Sequence, residues 1–168
     1  MTPGKKTLMR HITQVLIILA VFLGIRAYLT QGTIKSGPAP DFGGVLMDGS
    51  TFQLKDLRGK PALIYFWATW CKVCEWNDGA INDLAKDMPV ITVVMESGSQ
   101  KGIREKMKER GLSFPVFVDG LGKLADLYHV KGLPTNYIID AEGNIRYVEV
   151  GYTTGWGLRV RMWLASMD

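Results

Sequence analysis

The sequence predicts an α/β domain in which helices flank a central mixed β-sheet, with an N-terminal β-hairpin extension and one transmembrane helix before it. Three observations predict this architecture. Short apolar runs at residues 63–68 and 90–95 indicate buried strands, and segments with the helical spacing of apolar residues follow them. Asp48-Gly49 lies between two short strand-like runs and favours a tight turn. A long apolar stretch also lies near the N-terminus.

The composition sets the size and charge of the molecule. A chain of 168 residues is long enough for one domain with a hydrophobic core and a short appendage. Residues 1–35 carry five of the 20 Lys and Arg residues and no acidic residue, whereas the rest of the chain carries all 16 acidic residues. The basic excess therefore belongs to the N-terminal tail, and a nucleic-acid-binding surface is not expected.

The N-terminus is expected to anchor the protein in a membrane. Residues 1–11 are short, polar and positive, and residues 12–29 are largely apolar, close to the length of about 20 residues that a span needs. The charges of Lys5, Lys6 and Arg10 favour a cytoplasmic N-terminus, so residues after 29 are expected outside the cytoplasm. Near the far end of the span, Arg26 and Tyr28 suit the membrane interface.

A cleaved signal peptide is the alternative, because the unbroken apolar centre at residues 15–25 has signal-peptide length. Residues 27–29 do not form a small-x-small cleavage site, and residues 30–32 form only a weak one, which favours an uncleaved anchor. A lipoprotein is excluded because no cysteine lies near position 30. With either an anchor or a cleaved signal, the domain is exported.

Residues 30–40 contain Gly, Pro and Ser and are predicted to be a linker, so the domain is expected to span residues 41–168. Its first element is a predicted hairpin of residues 42–47 and 51–54. The later predicted strands are residues 114–118, 136–140 and 145–150, and the later predicted helices are residues 100–110, 121–128 and 156–167. The side chains expected to pack from the last helix are Leu158, Met162, Trp163 and Leu164.

The only two cysteines, Cys71 and Cys74, follow the first buried strand and are separated by two residues. After them the apolar residues Ile81, Leu84, Ala85 and Met88 have helical spacing, so Cys71 is expected at a strand-to-helix turn. The positive end of a helix dipole favours a thiolate there and lowers its pKa. Cys74, one turn on, is placed to resolve a mixed disulfide formed at Cys71.

Other readings of the cysteine pair are weaker. A structural disulfide between residues three apart closes too small a loop to stabilise the fold much. A structural zinc site needs four ligands, and the sequence has no second cysteine pair. A soft metal such as copper could use both thiolates but usually recruits a further His or Met, and His129 is the only histidine far from the N-terminus.

The motifs Phe-Trp-Ala-Thr-Trp-Cys-Lys-Val-Cys at 66–74 and Gly-Leu-Pro-Thr at 132–135 make residues 38–168 resemble the thioredoxin superfamily. The Pro-Ala-Pro-Asp-Phe start and the membrane-tethered layout are similar to its TlpA/ResA branch. The approach to Cys71, the Phe-Pro-Val segment at 114–116 and the closing pattern at 151–163 are similar to the suppressor-of-copper-sensitivity protein D type.

The resemblance implies roles for residues around the cysteines. Pro134 would be cis and lie beside Cys71, where the neighbouring backbone pairs with an extended peptide of the partner. Leu133 would tune the redox potential and the choice of partner, and Trp70 would form part of the substrate-binding surface next to the reactive thiol.

The sequence departs from the family at two places. Tyr65 occupies the position of the buried aspartate that thioredoxins use as a proton acceptor, and residues 75–79 lack the usual proline of the active-site helix. Glu96, at the end of the next strand, resembles the acidic residue that TlpA/ResA-type proteins place under the cysteines. We therefore expect Glu96 to be either the base that deprotonates Cys74 or a solvated residue at a strand end.

The expected function is that of an exported thiol-disulfide oxidoreductase, anchored in the bacterial inner membrane with its domain in the periplasm. The resemblance implies protein thiols as substrates, a membrane thiol transporter as electron donor, a reductive direction and a role in copper or redox stress. The redox-active Cys71–Cys74 pair needs no further cofactor or metal. A disulfide-forming oxidase, a Cu(I) carrier and a pure interaction module remain as alternatives. A peroxiredoxin is disfavoured because the Pro-x-x-x-Thr-x-x-Cys pattern is absent before Cys71.

Overall fold

The computed structural model of the protein describes residues 3–167. Met1, Thr2 and Asp168 lie outside the described residues, as do the side chains of residues 3–6, Arg26 and Leu29, so the expectations for Lys5, Lys6 and Arg26 stay predictions. The chain divides into two compact units between Gln31 and Gly32.

The first unit is a single helix, α1 (Pro3–Leu29). Its segment Thr7–Ile25 is long and apolar enough to cross a membrane, a property that signal sequences near an N-terminus share. The helix begins well before residue 12, so most of the expected polar tail is helical. The physical reason is cooperativity, because each residue added to an existing helix gains a hydrogen bond without a new nucleation step.

The second unit contains a six-stranded mixed sheet in the order β1-β8-β7-β4-β5-β6 and a separate β2-β3 hairpin. Its strands are β1 (Gly37–Pro38), β2 (Gly43–Val45), β3 (Thr51–Gln53), β4 (Ala62–Trp67), β5 (Val90–Met95), β6 (Val116–Asp119), β7 (Thr135–Ile139) and β8 (Asn144–Val150). Its helices are α2 (Lys72–Leu84), α3 (Gln100–Glu109), α4 (Lys123–Leu127) and α5 (Gly155–Ala165), with a 3₁₀ turn at Leu54–Leu57. The predicted α/β class with a mixed central sheet and an N-terminal hairpin is confirmed.

Strand β4 lies in the middle of the sheet, parallel to β5 and antiparallel to β7. All six of its residues are buried. Helices cover one face of the sheet, and α4 with the β2-β3 hairpin covers the other, so both faces of β4 pack against apolar side chains. A continuous apolar run instead of an alternating one follows from burial on both faces.

The expected linker of residues 30–40 contributes a strand to the sheet. Gly37–Pro38 forms β1, which pairs with β8, and the Ala39 N–H donates to the Gly143 carbonyl at 2.9 Å. Proline and glycine are compatible with this position because an edge strand needs hydrogen bonds on one side only. The compact unit accordingly begins at Gly32, ahead of the expected residue 41.

Helix α5 differs from the prediction at Trp163. Leu158 and Met162 are fully buried against the sheet, but the side chain of Trp163 is 58% exposed. Trp163 follows Met162 directly and is therefore turned by about 100° around the helix axis, away from the core. Met88, expected on the inner face of α2, lies beyond the end of that helix and still packs against the core.

Candidate functional site

The two cysteines form a disulfide at the junction of β4 and α2. Cys71 is the N-terminal cap of α2, and its Sγ accepts a hydrogen bond of 3.1 Å from the Cys74 N–H. Cys74 is fully enclosed, whereas Cys71 keeps an exposed fraction of 6%. The predicted strand-to-helix placement is confirmed, with the Cys74 N–H of the first helical turn directed at the sulfur of Cys71.

The Leu133–Pro134 peptide bond is cis, as the resemblance implied. Strand β7 starts at the next residue, Thr135, which pairs with Phe66 near the end of β4. This register brings the Leu133–Pro134 bond to the end of β4 from which the chain runs on to Cys71. Leu133 is half-buried and packs against the cluster that contains both cysteines.

The turn before Cys71 is held by the loop that follows β5. The Thr69 N–H donates to the Ser97 hydroxyl at 2.9 Å, and that hydroxyl donates to the Met95 carbonyl at 2.8 Å. The exposed indole of Trp70 donates from Nε1 to the Glu96 carbonyl at 3.1 Å. The loop therefore fixes the orientation of Trp70 through backbone groups and one hydroxyl.

The structure does not give Glu96 the surroundings expected of a buried base. Its side chain is exposed, and its carboxylate lies beside Gly122 in the turn before α4. Glu96 has a φ of 41°, so the backbone leaves the extended conformation directly after β5. Strand β5 therefore ends at Met95, and the side chain of Glu96 does not continue the strand's buried residues. Glu96 contributes its carbonyl group to the site instead.

Replacement of Ser97 by Ala is expected to lower the free energy of unfolding by about 1–2 kcal/mol, because the half-buried Thr69 N–H loses its acceptor. It should also lower the rate of disulfide exchange, since the turn that carries Trp70 is then held less tightly. Urea denaturation and a turnover assay measure the two effects. Ser166→Ala is the matched control, because that exposed hydroxyl only bonds a carbonyl at the end of α5. Equal results for both variants would contradict the role of Ser97.

A cluster of charged side chains beside the cysteines was not predicted from the sequence. Arg110, which ends α3, donates to Asp78 Oδ2 at 2.9 Å and to Glu75 Oε1 at 2.7 Å, both on α2. It also donates to the Thr69 carbonyl at 2.8 Å. Lys72 adds an ion pair with Glu75. One largely buried guanidinium thus links α2 to the turn before Cys71.

The charges in this cluster are unequally solvated. Burial raises the pKa of the Asp78 carboxyl, although the hydrogen bond from Arg110 acts in the opposite direction. The hydrogen bond from Lys72 lowers the pKa of Glu75. Burial, and then the charge of Asp78, raise the pKa of the Tyr65 phenol. Asp78 is therefore the carboxyl group of the cluster that most readily binds a proton.

The sequence held a partial signal for Asp78, which lies four residues after Cys74 and so on the same face of the helix. The sequence held no signal for Arg110, because its hydrogen bond to Asp78 joins two residues that lie 32 positions apart in the chain. Among the described residues, no group of three or more His, Cys, Asp or Glu side chains is arranged to hold a metal ion.

A cysteine pair whose first sulfur lies at a helix N-terminus is suited to disulfide exchange. The protein is a thiol-disulfide oxidoreductase with a thioredoxin-like fold. The family model described as the AhpC/TSA family matches residues 36–148, and the chain belongs to that family.

Known proteins similar to this chain agree with this class. The thioredoxin-like protein YneN of Bacillus subtilis is 35% identical over 150 residues, covering 83% of this chain and 88% of YneN. The thiol-disulfide oxidoreductase ResA of Geobacillus kaustophilus is 33% identical over 151 residues, covering 84% of this chain and 87% of ResA. A thioredoxin-family thiol:disulfide interchange protein from Chlorobium tepidum superposes with a TM-score of 0.69 at 26% identity, covering 79% of this chain and 97% of that one.

Proposed function

We propose that this oxidoreductase is anchored in the bacterial inner membrane by an uncleaved segment at residues 12–29 and reduces protein disulfides in the periplasm. The observation that carries the proposal is the Cys71–Cys74 disulfide at the start of α2, next to the cis Leu133–Pro134 bond. The apolar segment Thr7–Ile25 and the basic residues around its start support the anchor and its orientation.

In the reduced enzyme, the Cys71 thiolate attacks one sulfur of a substrate disulfide. A Cys71–substrate bond forms, and the first substrate thiolate leaves. Cys74 then attacks Cys71, which forms the Cys71–Cys74 disulfide and releases the second substrate thiol. The substrate gains two electrons and the enzyme loses two. The slight exposure of Cys71 and the enclosure of Cys74 support this order of attack.

Three residues beside the cysteines are proposed to bind the substrate chain. The backbone next to Pro134 would pair with an extended segment of the partner, with the half-buried Leu133 as its neighbour. Trp70, held by the Glu96 carbonyl, presents an exposed indole to the same partner. An aromatic side chain with a fixed orientation contributes apolar contact at a small entropic cost.

The proposed direction is reductive because the sequence resembles the TlpA/ResA branch, and the compartment outside the cytoplasm is itself oxidising. A reductase working there needs electrons carried across the membrane, and a thiol transporter in the same membrane would supply them. The likeness to the suppressor-of-copper-sensitivity protein D type supports a role in repairing protein thiols under copper or redox stress.

The reduction potential of the full chain in detergent tests the direction. Equilibration against glutathione and against a stronger dithiol couple is expected to give a value near that of thioredoxin, about −270 mV. A value near −120 mV would instead identify a disulfide-forming oxidase. If the cysteine pair equilibrates with neither couple, the reductase proposal is wrong and a Cu(I) carrier becomes the leading candidate.

A further inference from the structure

Three exposed tryptophans on helices α2 and α5 have no part in the proposed disulfide exchange. Trp76 lies on α2 and is 63% exposed. Trp156 and Trp163 lie on α5, and Trp156 is 77% exposed. An indole is one of the largest apolar groups in a protein, and exposed apolar patches mark surfaces that bind a membrane or another protein. These side chains therefore indicate a binding surface outside the cysteine site.

The exposed apolar side chains of α5 form a stripe along the helix. Trp156 and Trp163 are seven residues apart and so lie on the same side, with the half-buried Val160 between them. The opposite side carries Leu158 and Met162, which are fully buried against the sheet. Helix α5 is thus apolar on two sides, and the sheet covers only one of them.

Two more aromatic side chains lie near the start of this stripe. Tyr152 is exposed in the loop just before α5. Trp76 lies one turn before Ala80 on α2. Gly155, the first residue of α5, approaches α2 so closely that a Cβ atom there would lie 3.2 Å from the Cβ of Ala80. The residues Trp76, Tyr152, Trp156, Val160 and Trp163 are called the aromatic face below.

The composition of the aromatic face suits the surface of a bilayer. Tryptophan and tyrosine are enriched where a bilayer meets water, and arginines there direct their guanidinium groups toward the lipid phosphates. Helix α5 contains two arginines and no acidic residue. The side chain of Arg159 is 41% exposed although it is paired with Asp87 at 2.8 Å. Protein interfaces are rich in the same residue types, so the position of the face relative to the membrane decides between the two.

The chain enters the domain after a very short tether. Only Thr30 and Gln31 stand between α1 and Gly32. With residues 12–29 in a bilayer, Gly32 therefore lies within about 10 Å of its surface. Gly32 is held beside Lys131, since a Cβ atom at position 32 would lie 3.7 Å from Lys131 Cε. The next residue, Thr33, is already buried in the domain.

The point of entry lies at the end of the sheet where the aromatic face begins. Lys131 comes shortly before Pro134, whose carbonyl accepts a hydrogen bond of 2.8 Å from the Gly151 N–H. Gly151 starts the loop that leads to α5, and the Thr153 N–H of this loop donates to Asn77 Oδ1 at 3.3 Å. The loop is therefore bonded both to the segment beside the entry point and to α2.

We propose that the aromatic face rests on the surface of the lipid bilayer in which the protein is anchored. This inference rests on the proposed function, because it requires the anchor of residues 12–29. A short tether gives the face a very high effective concentration of lipid, which favours lipid over a freely diffusing protein partner. Docking keeps the end of the sheet that carries Cys71 near the bilayer, where a membrane thiol transporter would present its own cysteines.

Fluorescence quenching by brominated lipid tests the docking. All five tryptophans of the chain lie between residues 67 and 163, so their emission reports on the domain and not on α1. The full chain is incorporated into phosphatidylcholine vesicles with and without lipid brominated in the upper part of its acyl chains. Bromine quenches an indole only at close contact. The unaltered protein should lose at least about a fifth of its emission, because three tryptophans belong to the aromatic face.

Val160→Asp places a charge in the middle of the stripe and keeps every tryptophan. Its quenching should fall about threefold or more, because a carboxylate is costly to move out of water. Leu121→Asp is the matched control, since Leu121 is 79% exposed in the turn before α4, which packs on the other face of the sheet. This control should be quenched like the unaltered protein.

Circular dichroism checks that Val160→Asp is folded. If it is not, Met167→Asp replaces it, because Met167 is exposed just beyond the end of α5. That variant should lower the quenching about twofold, since its charge lies at the end of the stripe and not in the middle. Quenching in the folded variant that equals the quenching of the unaltered protein would overturn the docking.

Flotation of the vesicles in a density gradient distinguishes failure of the docking from failure of the anchor. Protein that does not float with the vesicles would contradict the proposed anchor, and the docking with it. Protein that floats while its emission is unquenched would overturn the docking alone. The aromatic face would then be assigned to a protein partner.

Discussion

Replacement of Cys71 by Ser is expected to abolish disulfide reduction, with a loss of at least about 1,000-fold, because a serine hydroxyl does not form the mixed disulfide. Replacement of Cys74 by Ser should have a different result. Cys71 still attacks in that variant, but no second thiol releases the substrate. The enzyme should therefore accumulate as a covalent complex with its protein substrates.

Expression of each variant in bacterial cells, followed by acid quenching and non-reducing electrophoresis, measures this difference. Complexes that dissolve on reduction should appear with Cys74→Ser and be absent with Cys71→Ser. They should sediment with the membrane fraction if residues 12–29 anchor the protein. The double variant Cys71→Ser/Cys74→Ser is the control for complexes that do not depend on either cysteine. Complexes with Cys71→Ser alone would reverse the two proposed roles.

The parts of the fold that the sequence predicted are those set by local patterns. The buried strand β4 follows from its unbroken apolar run, and the β2-β3 hairpin follows from Asp48-Gly49. The helix predicted over residues 100–110 corresponds to α3, and Gly111 directly after it has a positive φ of 65°. Each of these features depends on residues within one element or one turn.

The features that the sequence did not predict depend on contacts between distant parts of the chain. Gly37–Pro38 resembles a linker in composition and becomes a strand only because β8 offers a free edge. Glu96 was a candidate base by its place after β5, but a single left-handed backbone conformation leaves its side chain exposed. Asp78 was not singled out from the sequence, because its partner Arg110 reaches it from the end of α3, 32 residues further along the chain.

Strand β4 must support the cysteines rigidly, and its last residue, Trp67, is expected to contribute most to that support. Trp67 is fully buried and packs edge-to-face on Phe114, with ring centroids 5.5 Å apart. Its indole N–H donates to the Thr92 hydroxyl at 3.2 Å, and that hydroxyl donates to the Pro115 carbonyl at 2.8 Å. Trp67→Ala should lower the free energy of unfolding by about 3–5 kcal/mol through lost burial and a cavity.

Urea denaturation of the full chain in detergent, followed by circular dichroism, measures this loss. Trp163→Ala removes the same side chain from an exposed position on α5 and should change the free energy of unfolding by less than about 0.5 kcal/mol. Similar losses in the two variants would contradict the packing described for Trp67.

Trp67→Phe separates the two contributions of the indole. This variant keeps an aromatic ring against Phe114 but removes the indole N–H that donates a hydrogen bond to the Thr92 hydroxyl. Thr92 still donates to Pro115, so only one hydrogen bond is lost, and a cost of about 1 kcal/mol is expected for it in addition to the smaller ring. If Trp67→Phe is as unstable as Trp67→Ala, the hydrogen bond rather than the packing of the ring holds the end of β4. The cysteines would then depend on a polar contact between β4 and β5.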